Sequence, residues 1–74
     1  MIYFFMNHSF GTRIKELRED KNLTQIELAD IFNVTKQTIS AWEKDIQQTD
    51  FNMLIAIAQY FNVTTDYLLG LTDY

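Results

Sequence analysis

The 74-residue sequence has no cysteine and no proline, only two glycines, Gly11 and Gly70, and a single histidine, His8. Without cysteine there is no disulfide framework and no thiol nucleophile, and the composition fits a reducing compartment. One histidine cannot form a metal site alone, so neither a metal nor a cofactor is expected. With no proline and so little glycine, few positions can force a break between residues 12 and 69. The length holds one domain and excludes a second. A domain this small buries only roughly 60% of the surface of its unfolded chain. Stability therefore rests on packing, to which six Phe, four Tyr and one Trp are suited.

Long apolar runs are also missing. The one apolar stretch with a targeting character, Ile2 to Met6, is far shorter than the ~20 residues that cross a bilayer, and no basic residue precedes it. Neither a signal peptide nor a membrane anchor is expected, and the chain is read as cytoplasmic. The run reads instead as an N-terminal arm packed on the domain, or as residues ahead of a translation start at Met6.

Cations of the second half are the last absence. The formal charge is −4, which looks wrong for a nucleic-acid binder. The distribution of that charge points the other way. Arg13, Lys15, Arg18, Lys21, Lys36 and Lys44 all precede Asp45 and are balanced there by six acids, whereas Asp45, Asp50, Asp66 and Asp73 have no cation after them. Any DNA-facing surface belongs to the first two thirds.

What is present is helical punctuation. Phe10, Ile14 and Leu17 make one apolar stripe on a helix expected from about Phe10 to Lys21, with Asn22 at its exit. Thr24-Gln25-Ile26-Glu27 has the form of a capping box opening a second helix, with Leu28, Ala29 and Phe32 inside and Ile26 and Ile31 off that face. Asn33 tolerates the left-handed exit, Val34 plugs the gap and Thr35 caps a third helix. There Ile39, Trp42 and Ile46 fall on one side, and Lys36, Gln37, Ser40, Ala41 and Lys44 on the other. The apolar side is expected to fix the pose and the polar side to touch base edges; Trp42 is read as core rather than as a base-stacking residue. Asp50 caps a fourth helix with Phe51, Leu54, Ile57, Ala58 and Phe61 on a broad apolar face, and Thr64 caps a short fifth one ending near Leu69 and Gly70. The phrase Phe-Asn-Val-Thr occurs twice, at 32–35 and 61–64, as recurring turn chemistry.

Helices two and three, joined by a turn of three or four residues, form a helix-turn-helix. The series Arg13-Ile14-Lys15-Glu16-Leu17-Arg18, Leu23-Thr24-Gln25, Leu28-Ala29, Val34-Thr35, Ile39-Ser40, Trp42-Glu43 and Asp66-Tyr67-Leu68-Leu69-Gly70 resembles, in order and spacing, the Xre and Cro branch of the phage-repressor-like family. The resemblance covers about Phe10 to Gly70. It implies an all-α, five-helix, lambda-repressor-like domain over residues 10–70, between an arm at 1–9 and a tail at 71–74. It also implies sequence-specific binding of a double-stranded DNA operator, usually as a homodimer, by a transcriptional regulator expected to be a repressor.

Carried over residue by residue, the resemblance gives Gln25 a phosphate contact and a brace on the recognition helix. It gives Lys36, Gln37 and Ala41 the base-reading positions, with Thr35, Thr38 and Ser40 beside them. Gln can bond bidentately to adenine, Lys can donate to guanine O6 and N7, and an Ala methyl packs on a thymine methyl. Lys44 is better suited to a phosphate. Arg18 and Glu43 occupy positions that in some members form an ion pair tying helix one to helix three. Three departures stand out: Asn33 and Asp45 replace common glycines, Thr49 replaces a common proline, and Gln47 and Gln48 lie where the family is often basic. Ile2 to Phe5 and Leu71 to Tyr74 are expected to contribute to a dimer.

A second class of function is a protein-interaction module, such as an antitoxin-like or antagonist protein, which the acidic second half and the exposed Ile26 and Ile31 favour. An enzyme is not expected, because no Ser-His-carboxylate set or glycine-rich phosphate loop accompanies the missing cysteine. Nor does any feature point to a small-molecule pocket.

Overall fold

The computed structural model describes residues 9–74. Five helices follow along them: α1 (Phe10–Asp20), α2 (Gln25–Phe32), α3 (Lys36–Glu43), α4 (Phe51–Phe61) and α5 (Thr65–Leu68), with no strand among the described residues. Residues 1–8 of the expected arm, and with them the dimer contact of Ile2 to Phe5 and His8, lie outside the described residues, whereas Ser9, the last residue of that arm, is the N-cap of α1.

Side-chain caps decide where the helices begin. Ser9, Thr24, Thr35, Asp50 and Thr64 each adopt extended backbone, and each side-chain oxygen accepts an amide hydrogen from three residues on. One of the orphan donors of each first turn is thereby satisfied. At Thr24 the arrangement is reciprocal, since Glu27 Oε1 also accepts from the Thr24 amide at 2.8 Å. Left-handed residues then turn the chain after α1 to α4: Asn22, Asn33, Asp45 and Asn62 have φ of 57–58°, and Gly70 has φ of 78° after α5. Asn and Asp tolerate this region better than other side chains.

Ile14, Leu28, Ile39, Ile57 and Leu68 are fully enclosed, one from each helix, with Ala29, Trp42, Ala58 and Phe61 beside them. Both α1 and α2 pack on α3, while α5 closes the core against α1 and α4. Gly11 permits the α1 contact. A Cβ there would collide with the Trp42 carbonyl oxygen and lie 2.6 Å from that of Glu43, so no side chain fits between the two backbones.

Two apolar residues are not where periodicity puts them. Ile46 is expected beside Ile39 and Trp42, but α3 ends at Glu43, Asp45 turns the chain, and Ile46 is 76% exposed. Phe51, expected on the inner face of α4, is that helix's first residue and is 83% exposed. In both cases the helical phase extends one turn past the region where the helix has neighbours. Ile26 and Ile31 are exposed, as their off-face positions require.

Candidate nucleic-acid interface

The turn that presents α3 is fixed by its own backbone. Asn33, with φ of 57° and ψ of 44°, reverses the chain, and the Val34 amide donates to the Ala29 carbonyl at 2.9 Å. Val34 packs against the core as a plug. Thr35 then accepts from the Thr38 amide at 3.1 Å, while the two hydroxyls bond to each other at 3.0 Å. Thr35 and Thr38 therefore hold the start of α3 with their own side chains.

The helix is two-sided. Ile39 is fully buried and Trp42 is 2% exposed, its ring edge-on to Phe10 with centroids 6.4 Å apart. On the other side Lys36 and Gln37 are exposed and Ser40 and Ala41 are half-exposed; Lys44, the C-cap of α3, is exposed just beyond. The outward surface thus carries one amide, one hydroxyl, one methyl and two ammonium groups on a backbone that the inward side chains hold still.

The far end of α3 is held by a carboxylate. Glu43 Oε2 accepts from Arg18 Nε at 2.6 Å, and Glu43 Oε1 accepts from Arg18 Nη2 at 3.2 Å and from Gln25 Nε2 at 3.0 Å. Arg18 Nη1 also donates to the Leu23 carbonyl at 2.8 Å. One acid thus joins α1, α2 and α3. The pair is removed from water, with side-chain exposures of 11% for Arg18 and 4% for Glu43. The hydrogen bond to Glu43 pushes the Arg18 guanidinium above its ordinary pKa; its partial burial opposes that shift, and the charges of Glu43 and Glu19 assist it. Gln25, at the first position of α2, contributes one of its two amide hydrogens to this node.

Two contacts are not foreseen from the sequence. Arg13 is only 4% exposed; its Nη2 donates to the Thr72 carbonyl at 3.1 Å, and its guanidinium lies 3.9 Å from the Tyr67 ring centroid. Its position three residues after Phe10 and four before Leu17 is the signal that places it on the inward stripe. Asp45, besides turning the chain, accepts the Gly11 amide at 2.9 Å and the Ser9 hydroxyl at 2.6 Å, tying the start of α1 to the exit of α3. With Arg13 buried and Arg18 paired, the exposed cations are Lys15, Lys21, Lys36 and Lys44.

Two short helices joined by a tight turn, the second with one face anchored and the other open, make a helix-turn-helix unit. The helix-turn-helix family model matches residues 14–68, and the chain belongs to that family, in its Xre and Cro branch. It is 39% identical over 62 residues to the HTH-type transcriptional regulator ImmR of Bacillus subtilis, covering 84% of this chain and 49% of that protein. It is 38% identical over 61 residues to the HTH-type transcriptional activator BcrR of Enterococcus faecalis, covering 82% of this chain and 30% of that one. The chain thus spans half or less of the length of these relatives. Among solved structures, the P22 c2 repressor in complex with a synthetic operator superposes with a TM-score of 0.79 at 26% identity, covering 86% of this chain and 97% of that one.

Proposed function

We propose that this chain binds double-stranded DNA sequence-specifically, as the DNA-reading domain of a cytoplasmic transcriptional regulator that acts as a homodimeric repressor. The observation that carries the proposal is the two-sided α3: Ile39 and Trp42 are buried, while Lys36, Gln37, Ser40 and Ala41 face outward. A helix of this width fits the major groove, where base edges present distinct donor, acceptor and methyl patterns. The operator complex of the similar P22 c2 repressor supports the choice of ligand.

In this reading Lys36, Gln37 and Ala41 read bases, with Ser40 beside them. Thr35 and Thr38 set the start of the helix and approach the backbone, Lys44 neutralises a phosphate, and the remaining amide hydrogen of Gln25 reaches another. Two protomers place their α3 helices on half-sites about 34 Å apart, one turn of duplex or a multiple of it. Sedimentation of the full chain at increasing concentration measures the dimer.

The deciding experiment compares two substitutions on a selected operator and on random DNA. Gln37→Ala is expected to cost about 1–3 kcal/mol on the operator and to relax preference at one base position. Lys44→Ala weakens binding to all sequences alike and lowers the salt dependence by about one phosphate's share. Equal losses on both DNAs from both variants would overturn the assignment of α3 as the reading helix.

A further inference from the structure

All five helices close in the same way. After the left-handed residue, the next amide donates to the carbonyl five residues earlier: Leu23 to Arg18 at 3.1 Å, and Val34 to Ala29, Ile46 to Ala41, Val63 to Ala58 and Leu71 to Asp66 at 2.9 Å each. In this closure an apolar donor residue commonly falls beside the residue five before it. Its surroundings are then set by the helix face to which that earlier residue belongs. Val34 and Val63 follow the buried Ala29 and Ala58 and pack on the core. Leu71 follows the exposed Asp66 and is 65% exposed. Ile46 follows Ala41, on the outward face of α3, and is 76% exposed.

A single exposed isoleucine is ordinary. The register and the rigidity of this one set it apart. It prolongs the outward row of Gln37, Ala41 and Lys44 past the end of α3. Its backbone is pinned on both sides, since the Ala41 carbonyl also accepts the Gln47 amide at 3.3 Å and Asp45 holds the Gly11 amide at 2.9 Å. The apolar groove between α1, α4 and α5 is lined from the same loop by Asp45, Gln47 and Gln48 but not by Ile46. Ile46 therefore belongs to the α3 surface and not to that groove.

We propose that Ile46 is a further specificity-determining residue of the DNA interface, meeting the C5-methyl of a thymine beyond the base read by Ala41. The proposal rests on the DNA reading of α3 given above, in which Lys44 on a phosphate brings this end of the helix to the duplex. A sec-butyl side chain has neither donor nor acceptor. Against a phosphate it would strip water from an anion and return no hydrogen bond. Among the base-edge groups of the major groove, the thymine methyl is the apolar one, so it is the partner this side chain fits. Drying one methyl group corresponds to about fourfold in affinity.

The test uses the full chain on an operator selected from a random DNA pool, with each thymine of one half-site replaced in turn by deoxyuridine, which lacks only the methyl. The unsubstituted chain is expected to lose about fourfold at the thymine that Ile46 meets. Ile46→Ala, at an exposed position, keeps the melting temperature and binds the thymine operator at least as weakly as the unsubstituted chain binds the uridine one. It no longer distinguishes thymine from uridine at that position, while discrimination at the thymine met by Ala41 persists. Ile46→Val restores part of the discrimination, which a purely structural role of the loop would not produce. Unchanged operator affinity in Ile46→Ala, or undiminished discrimination at every thymine, would overturn the proposal and leave α3 as the reading helix. Failure of the unsubstituted chain to enrich any sequence from the pool would overturn the DNA reading and this proposal together.

Discussion

The turns at Phe32-Asn33-Val34-Thr35 and Phe61-Asn62-Val63-Thr64 have one sequence and one geometry. Asn33 has φ and ψ of 57° and 44°, and Asn62 has 57° and 46°. Val34 and Val63 each donate to an alanine carbonyl at 2.9 Å, and both threonines accept from the amide three residues on. Their products differ. The first turn delivers the eight-residue α3 with an open polar face, and the second the four-residue α5, whose Leu68 is fully buried and closes the core. Identical turn chemistry sets the direction of the next helix, but what that helix can do depends on its own outward residues and on what fixes its far end. For α3 the fixing group is the Glu43 node; near α5 it is Arg13 against Tyr67 and the Thr72 carbonyl.

Breaking those two attachments gives the largest contrast. Arg18→Met leaves the Glu43 carboxylate, 4% exposed in the native pair, without its charge partner, and is expected to cost ~3 kcal/mol or more in thermal melting. Arg13→Met removes a hydrogen bond to the Thr72 carbonyl, a ring contact and a 3.7 Å ion pair with Asp73, and is expected to cost about 1 kcal/mol, because the acid left behind is 87% exposed and stays in water. Arg18→Met with Glu43→Leu should recover most of the first loss. A negligible effect of Arg18→Met would sink the clamp.

Gly11→Ala tests the same end of α3 through the backbone. A methyl that must displace two carbonyl oxygens of α3 is expected to cost about 1–3 kcal/mol and to separate α1 from α3. Chemical denaturation measures the loss.

The turns themselves should respond alike. Asn33→Ala and Asn62→Ala each place alanine in the left-handed region, at about 1 kcal/mol, and the two values should agree closely. On the function proposed above, Asn33→Ala also reduces operator affinity at a temperature where both variants are folded, whereas Asn62→Ala leaves it unchanged. Different stability losses would mean that the surroundings, and not the turn, carry the energy. Thr35→Ala and Thr64→Ala are the mildest pair, at about 0.5–1 kcal/mol each, measured by melting.

Much of the fold is legible in the sequence because its signals are local. Caps, left-handed exits and apolar spacing each act within one helix and its turn, and they place all five helices and the buried Trp42. The burial of Arg13 and the second role of Asp45 depend instead on partners 59 and 34 residues away, Thr72 and Gly11. Counting cations by sequence position therefore assigns Arg13 to the exposed supply when the fold encloses it. Ile46 and Phe51 depart from expectation for a related reason: periodicity gives the phase of a helix but not the residue at which its neighbours end. Within the candidate site the sequence places Lys36, Gln37, Ser40 and Ala41 on one face through periodicity alone. The shared acceptance of Arg18 and Gln25 by Glu43 is a three-body contact that no spacing within a single helix encodes.

The two fixed ends of α3 have a thermodynamic consequence. With Thr35 holding its first turn and Glu43 its last, the helix is already ordered before it meets a ligand, so little conformational entropy remains to be lost on docking. For the DNA complex proposed above, the heat-capacity change then reflects the apolar surface dried between two preformed bodies. Titration calorimetry at several temperatures should give a modest negative value, well short of the large one that accompanies coupled folding.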